Sequence, residues 1–306
     1  MSAKRDFLSI SDLSPSEIRH LIQRALQMKE EGNSHPQPLR GKKVALLFEK
    51  PSLRTRVSFQ IGIQELGGYS LYLSPEEVGL GTREPVADVA RVLSGYVDCI
   101  VARVFSHEHL VEMAEYATVP VINGLSDHEH PCQAISDMVT ITEHQGELPG
   151  LKLAFVGDGN NVARSLCLGL PAVGMTFAIA TPPGYQLDQA TLKLARERAN
   201  GTGAVVQAVT DPQEAVLGAD IVYTDVWSSM GQEGEANRRR LEFQGYTVDA
   251  ELLAKAKPSA KFMHDMPAHY GEEVAPGMLE HPQSVAYQQA HNRLHGQKAV
   301  LEMLLG

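Results

Sequence analysis

Two arginines and two hydroxyl side chains lie within five consecutive positions near the start of the chain, where residues 52–56 read Ser-Leu-Arg-Thr-Arg. An apolar run at 43–48 predicts a strand directly before them, and a helical pattern follows as far as Gly67. The first turn of that helix would offer free backbone N–H groups and the positive end of the helix dipole, which both favour an anion. Arginine adds bidentate hydrogen bonds to phosphate oxygens. The segment therefore predicts a phosphate site, although an isolated Arg-x-Arg pair can also be a solvated basic loop.

Further polar residues follow other predicted strands. Ligands of open parallel sheets bind beyond the carboxyl ends of the strands, so the repeated placement indicates one binding region. Taken singly, each cluster also has a structural explanation, such as a turn for a pair of asparagines or a helix cap for an aspartate. The clusters are Arg103, the segment 130–133, Asn160 with Asn161, Asp225, the segment 229–231 and the segment 264–267.

The elements that must position these residues alternate between strands and helices. Such alternation predicts an α/β protein with parallel sheets. Strands are predicted at 44–48, 99–104, 119–122, 153–156, 177–180, 221–224 and 261–263. Helices are predicted at 15–31, 85–94, 108–117, 131–144, 161–173, 189–199, 211–217, 249–256 and 286–305, in addition to the one after residue 52.

The segment 146–150, Gly-Glu-Leu-Pro-Gly, follows a long helical pattern and precedes a new strand. It predicts a division into two domains, 1–145 and 146–285, each a parallel sheet flanked by helices. We expect the last helix, 286–306, to pack back on the first domain.

Composition limits the function classes. The chain has 306 residues, 43% of them hydrophobic, and a formal charge of −10, which argues against a broad nucleic-acid-binding surface. No run approaches the roughly 18 apolar residues of a membrane span, and no signal-peptide core follows the N-terminus. The three cysteines are widely spaced and form no zinc or redox motif. These features predict a soluble cytoplasmic protein.

One motif resembles a dinucleotide-binding fingerprint. Residues 157–162 read Gly-Asp-Gly-Asn-Asn-Val after a predicted strand. The third glycine is missing, since Val162 takes its place, and no acidic residue ends the next strand. Both departures argue against a dinucleotide cofactor.

Taken in order, the clusters resemble the motifs of the aspartate/ornithine carbamoyltransferase family over essentially the whole chain. The family's S-T-R-T-R motif matches residues 52–56, and its H-P-x-Q motif matches 130–133. The D-x-W-x-S-M-G motif, typical of the ornithine branch, is complete at 225–231.

The resemblance implies two α/β domains with an active site in the cleft between them, and a homotrimer. It implies carbamoyl transfer from carbamoyl phosphate to the δ-amine of L-ornithine, giving L-citrulline and phosphate, with no metal and no organic cofactor. This reaction is a step of arginine biosynthesis, or of arginine breakdown when it runs in reverse.

The resemblance also assigns roles to residues. Arg103 and His130 would approach the carbonyl oxygen, while Gln133 would bind the carbamoyl amine. The residues implied to bind carbamoyl phosphate are Ser52, Leu53 through its backbone amide, Arg54, Thr55, Arg103, His130, Gln133 and Arg293. Those implied to bind ornithine are Asn161, Asp225, Ser229, Met230, Asp265 and Met266. The implied catalytic set is Arg54, Arg103, His130, Asp225 and Asp265.

The chain departs from the family pattern at several positions. Leu53 replaces a threonine, which a backbone contact would tolerate. His291 stands where the family usually has glutamate. Near Gly79 the family usually has a glutamine that enters the neighbouring subunit's site, and here that contact is either missing or supplied by another residue such as Arg83.

The largest departure is Asp265. The ornithine branch usually reads H-C-L-P, whereas residues 264–267 read H-D-M-P. A carboxylate close to Asp225 would repel it unless a cation sits between the two, and a substrate ammonium could be that cation. Our hypothesis is that Asp265 tightens ammonium binding and raises the optimum pH. The alternative is that Asp265 turns away and pairs with a nearby histidine or arginine.

Two other functions stay open at this point. Asp265 and His291 would suit a carbamoyltransferase for another amine, such as putrescine or an acylated ornithine. A non-catalytic homologue that only binds carbamoyl phosphate is the other alternative, and the intact set of polar residues argues against it.

Overall fold

The computed structural model describes residues 4–34, 36–228 and 233–306, without the side chains of residues 33 and 233. The chain forms two compact units. The first comprises the residues up to Val139 together with Asn292–Gly306, and the second comprises Thr140–His291. Both limits fall inside long helices, whereas the sequence placed the division at helix ends, where turn residues provide a signal.

The first unit contains a four-stranded sheet in the order β2-β1-β3-β4, with every pair parallel. Parallel strands need crossover connections, and helices supply them. In chain order, the elements that begin in this unit are α1 (Pro15–Glu31), β1 (Lys43–Phe48), α2 (Leu53–Glu65), β2 (Tyr69–Leu73), α3 (Pro75–Val78), α4 (Val86–Ser94), β3 (Cys99–Arg103), α5 (His107–Tyr116), β4 (Val121–Leu125) and α6 (Pro131–Gln145).

The second unit contains a five-stranded sheet in the order β7-β6-β5-β8-β9, again entirely parallel. In chain order, the elements that follow α6 are β5 (Lys152–Val156), α7 (Asn161–Gly169), β6 (Thr176–Ala180), α8 (Gln189–Arg198), β7 (Val206–Val209), α9 (Pro212–Val216), β8 (Ile221–Thr224), α10 (Ala236–Glu242), α11 (Ala250–Leu253), β9 (Lys261–His264) and α12 (Ala286–Leu305). The prediction of two α/β domains with parallel sheets is confirmed.

Local sequence signals explain many helix starts. Ser14 accepts a hydrogen bond from the backbone N–H of Glu17, while the Glu17 carboxylate accepts one from the Ser14 N–H, which is a complete capping box. Pro15 follows as the first helical residue, where its missing N–H costs nothing. The helix therefore begins where the sequence predicts it.

All seven predicted strands are present, but β2 and β7 were not predicted. Both are edge strands in which a polar residue, Ser70 in β2 and Gln207 in β7, interrupts the continuous apolar run of a buried parallel strand. The short helices α3 and α10 were also missed. The predicted helix 161–173 is wrong in its last part, because α7 ends at Gly169 and Pro171 starts a separate 3₁₀ turn.

Within the described residues, no helix combines the length and the apolar character that crossing a membrane requires.

Candidate active site

The segment 52–56 opens α2 as the sequence predicts. Ser52 is the N-cap, and its hydroxyl accepts a hydrogen bond from the Thr55 N–H. The Ser52 and Thr55 hydroxyl oxygens lie 3.1 Å apart. The Leu53 side chain is 76% exposed, so it does not pack within this chain. The Leu53 backbone amide lies in the first turn of the helix.

The two arginines of this segment differ in their surroundings. Arg54 is partly buried in the first turn. Arg56 instead lies over the ring of Tyr72, with its guanidinium carbon 3.7 Å from the ring centroid, and it donates a hydrogen bond to Gln60. Cation–π stacking therefore holds Arg56 on β2, and Arg54 is the arginine of this segment that the resemblance assigns to the phosphate.

Arg103 and Arg293 lie close to the 52–56 segment. Arg103 ends β3 and pairs in register with Phe48, the last residue of β1. Arg293, on α12, donates a hydrogen bond of 2.6 Å from Nη2 to Thr55 Oγ1. Both arginines are almost fully buried. Burial strengthens their electrostatic effect on any anion that binds here.

His130 lies between β4 and α6, and its carbonyl oxygen accepts hydrogen bonds from two backbone amides of the first turn. Burial lowers the pKa of His130 well below 6.5, and the nearby charges of Arg293 and Arg103 lower it further. The imidazole is therefore neutral at physiological pH, and it can donate a hydrogen bond without carrying charge.

Gln133 is fully buried and donates a hydrogen bond of 2.8 Å to Asp137, one turn further along α6. Its side-chain carbonyl oxygen has no hydrogen-bond partner among the described residues. Eight residues from four parts of the chain all belong to the first unit, and we call them the donor cluster: Ser52, Leu53, Arg54, Thr55, Arg103, His130, Gln133 and Arg293.

Sequence reasoning missed the residue that supports His130. Glu129 is buried, and its carboxylate accepts hydrogen bonds from the Ser9 hydroxyl at 2.6 Å and from the Ile10 N–H at 3.1 Å. The N-terminal segment thus anchors the backbone immediately before His130. The only sequence signal was a glutamate adjacent to the H-P-x-Q motif.

The second cluster lies at the carboxyl ends of β5, β8 and β9, in the second unit. Asn160 is the N-cap of α7, where its Oδ1 accepts the Val162 and Ala163 N–H groups. Its Nδ2 donates a hydrogen bond of 2.6 Å to Asp225 Oδ2. Asn161 begins α7, and its side-chain oxygen accepts the Val162 N–H. The contact of Asn160 with Asp225 was not predicted, because the sequence placed Asn160 in the same cluster as Asn161 but the resemblance assigned a role only to Asn161.

Asp225, His264 and Asp265 form a compact group, with one side-chain oxygen or nitrogen of each within 4.8 Å of the others. We call Asn160, Asn161, Asp225, Asp265 and Met266 the acceptor cluster. Asp225 is buried, and its Oδ1 accepts the Val226 N–H. Asp265 Oδ1 lies 3.7 Å from His264 Nδ1, which is longer than a hydrogen bond.

The protonation of His264 follows from its partners. Nδ1 accepts the Met266 N–H at 2.9 Å, so Nε2 carries the proton and donates to Glu273 Oε1 at 3.1 Å. Because the Nδ1 lone pair is occupied, His264 is a poor metal ligand. Asp225 and Asp265 are the two carboxylates of this group, and carboxylates form charge-assisted hydrogen bonds with an ammonium group.

The structure describes Met266 and Trp227, but two of the other residues of the predicted acceptor site are not described. Met266 has a positive φ of 62°, and its side chain packs against the core of the second unit. Trp227 is buried against Phe243, as expected for a packing residue. Ser229 and Met230 lie outside the described residues.

Comparisons with known proteins agree with the motifs. The family model described as "Aspartate/ornithine carbamoyltransferase, carbamoyl-P binding domain" matches residues 5–143. The model of the Asp/Orn binding domain of the same family matches residues 149–304.

Similar proteins cover nearly the whole chain. An ornithine carbamoyltransferase of Anoxybacillus flavithermus is 50% identical over 98% of this chain and 96% of its own length. A protein of Pyrococcus furiosus named as an anabolic ornithine carbamoyltransferase is 47% identical over 99% of this chain and 97% of its own length. A solved structure of ornithine carbamoyltransferase from Pyrococcus furiosus superimposes with a TM-score of 0.95 at 47% identity, covering 99% of this chain and 98% of that one. The chain therefore belongs to the aspartate/ornithine carbamoyltransferase family.

Proposed function

We propose that this protein is an ornithine carbamoyltransferase, which transfers the carbamoyl group of carbamoyl phosphate to the δ-amine of L-ornithine and releases L-citrulline and phosphate. The observation that carries the proposal is the donor cluster, in which buried arginines surround a neutral histidine. The similarity of 47–50% over the full chain to proteins named ornithine carbamoyltransferase supports ornithine as the acceptor.

The donor cluster suits carbamoyl phosphate. Ser52, Thr55, the Leu53 amide and Arg54 bind the phosphate at the start of α2, where backbone N–H groups and the helix dipole favour a dianion. Arg293 reaches the same place through its hydrogen bond to Thr55.

The other three members of the donor cluster act on the carbamoyl group. Arg103 and His130 donate hydrogen bonds to the carbonyl oxygen, which becomes an oxyanion when the carbon turns tetrahedral. Gln133 binds the carbamoyl NH₂ through the oxygen that has no partner among the described residues.

The reaction steps follow from these contacts. The neutral δ-amine of ornithine uses its lone pair to form the new C–N bond, and the oxyanion collapses to break the C–O bond to phosphate. The amine proton is lost to solvent or to the departing phosphate. Since His130 stays neutral, its part is to stabilise charge and not to exchange a proton. Fixed positive groups and positioning of the two substrates supply the rate enhancement.

The acceptor cluster suits the amino-acid end and the amine of ornithine. Asn161, Asp225, Ser229 and Met230 bind the α-amino and carboxylate groups, and Asp265 with Met266 lies beside the reacting amine. Asp225 is held in place by Asn160, which leaves its charge available to an ammonium group. Asp265 adds a second carboxylate within 4.8 Å, where relatives of the ornithine branch usually have a cysteine.

A second acceptor deserves a test because of Asp265. An added carboxylate favours a substrate with more positive charge near the reacting amine, such as a diamine. Purified protein should be assayed for phosphate release and carbamoylated product with L-ornithine, putrescine, N-acetylornithine and L-aspartate. We expect L-ornithine to have the highest kcat/KM. Turnover only with another amine would reassign the substrate, and no turnover with any amine despite carbamoyl-phosphate binding would indicate a non-catalytic homologue.

We propose a homotrimer assembled through a surface of the first unit. Leu53, Val57 and Ile61 recur every four residues and are exposed along one face of α2. Tyr69 and Leu71 are exposed on the neighbouring edge strand β2. A contiguous exposed apolar patch of this kind usually marks an interaction site. We call these five residues the α2–β2 patch.

We also propose a cytoplasmic role in arginine biosynthesis. The three cysteines are buried and free, as expected in a reducing compartment. The Pyrococcus furiosus relative named anabolic supports the biosynthetic direction.

A further inference from the structure

Arg239, on α10, is a buried arginine that lies outside every motif used so far. Its Nη1 donates hydrogen bonds to Asp158 Oδ2 and to the carbonyl oxygen of Trp227, each at 2.7 Å. Its Nε donates to Glu235 at 3.2 Å, and its guanidinium carbon lies 4.8 Å from the ring centroid of Tyr185. The arginine is 6% exposed.

The two partners of Nη1 belong to two of the three loops that carry the acceptor cluster, those after β5 and β8. Asp158 lies two residues after β5 and two residues before Asn160. Trp227 lies two residues after Asp225, in the loop that follows β8. A single nitrogen therefore joins the loops close to the Asn160–Asp225 hydrogen bond.

The β5 loop also contacts the backbone segment around Tyr185. A Cβ atom on Gly159 would lie 2.6 Å from the Leu187 N and 2.7 Å from the Tyr185 O, so this glycine packs directly against another backbone segment. The Gly159 N–H also donates to the Tyr185 carbonyl oxygen. The β5 loop is thus fixed to its neighbour, and Arg239 connects the β8 loop to it.

We propose that Arg239 is a positioning residue of the acceptor cluster: by joining the β5 and β8 loops, it orients Asp225 toward the second substrate without touching that substrate. The inference rests on the proposed function, since it takes Asp225 as a ligand of ornithine. A displacement of about 1 Å in such a ligand can cost about 100-fold in catalysis.

The charge of Asp158 gives the connection a pH dependence. Burial raises the pKa of Asp158 to about 6, and the hydrogen bond and charge of Arg239 oppose this rise. Among the described residues, Asp225, Glu235 and Tyr185 are the other charged or titratable groups that face the pair. Above pH 6 the Asp158 carboxylate is charged and binds Arg239 strongly, and below pH 6 it becomes neutral and binds Arg239 more weakly.

The first experiment compares Arg239→Gln and Arg239→Lys with the wild type. The matched control is Arg240→Gln, the next residue of α10, whose side chain is exposed and pairs with Glu272. We expect the KM for L-ornithine to rise at least tenfold in both Arg239 variants, while the KM for carbamoyl phosphate stays within twofold. The control should keep both values. An ornithine KM within twofold of the wild type in a folded Arg239 variant would overturn the proposal.

A milder variant keeps the test decisive if loss of the buried arginine prevents folding. Asp158→Asn retains an acceptor for Arg239 but removes the charge. At pH 8 we expect its ornithine KM to exceed that of the wild type about threefold or more. The ratio should approach one below pH 6, where the wild-type carboxyl group is neutral too. A ratio that does not change with pH would contradict the role of this ion pair.

Failure of the proposed function gives a different result. If the wild type forms no citrulline, hydrogen exchange still tests the connection, because the backbone amides of 158–161 and 225–228 should exchange faster in Arg239→Lys than in the wild type. Unchanged exchange in both loops would overturn the inference whatever the activity is.

Discussion

Replacing His130 with glutamine should remove part of the acid sensitivity of the protein. The buried imidazole cannot take up a proton in the folded state, because its pKa lies well below 6.5, whereas the unfolded chain takes up that proton near pH 6.5. A lowered pKa in the folded state means that this stability is present above pH 6.5 and is lost as the pH falls below it.

The size of the effect follows from proton linkage. A histidine that is protonated only in the unfolded state lowers the free energy of unfolding by about 1.4 kcal/mol at pH 5.5 and by nearly nothing at pH 8. Glutamine is neutral at both pH values and retains hydrogen-bonding groups. The loss of stability between pH 8 and pH 5.5 should therefore be about 1.4 kcal/mol smaller in His130→Gln than in the wild type.

Urea unfolding followed by circular dichroism measures this difference at equal protein concentration. Each protein is unfolded at pH 8 and at pH 5.5, and the wild-type change minus the variant change isolates His130 from all other titrating groups. His20→Gln, on the exposed side of α1, controls for the loss of an imidazole as such. A double difference below about 0.5 kcal/mol would show that His130 accepts a proton in the folded protein. The conclusion that His130 acts as a neutral hydrogen-bond donor would then be wrong.

Three further predictions test the other parts of the structure. Asp265→Cys should lower the optimum pH of citrulline formation, because the bound substrate ammonium has a lower pKa when the second carboxylate beside Asp225 is absent. A rate–pH profile identical to that of the wild type would contradict this hypothesis. Gly159→Ala should lower the free energy of unfolding by about 1–3 kcal/mol and raise the ornithine KM, because its Cβ would overlap backbone atoms such as Leu187 N, 2.6 Å away. The control is Gly234→Ala, whose added Cβ would have no atom of the described residues within 4 Å, and equal thermal melting of the two variants would contradict the clash. Val57→Glu should dissociate the proposed trimer by placing a charge in the α2–β2 patch, as measured by light scattering after size exclusion; a wild type that is already monomeric would refute the assembly itself.

Where sequence and structure agree, the determinants are local. Ser14 and Ser52 begin helices because the hydroxyl of each accepts an N–H of the first turn, and a run of a few residues encodes that contact. Buried parallel strands can also be recognised locally, because helices cover both of their faces and their residues form a continuous apolar run. The edge strand β2 escapes detection, because Ser70 interrupts its apolar run.

Residue types in order also identified the family, because its motifs at 52–56, 130–133 and 225–231 can be read directly from the sequence. Only the tertiary structure decided how each side chain is used. It placed the Arg56 guanidinium on the ring of Tyr72, joined Arg293 to Thr55 across more than two hundred residues, and bonded His264 to Glu273. It also buried Arg239 between two loops that the sequence does not connect. These contacts depend on packing between distant segments, and no local pattern of residues records them.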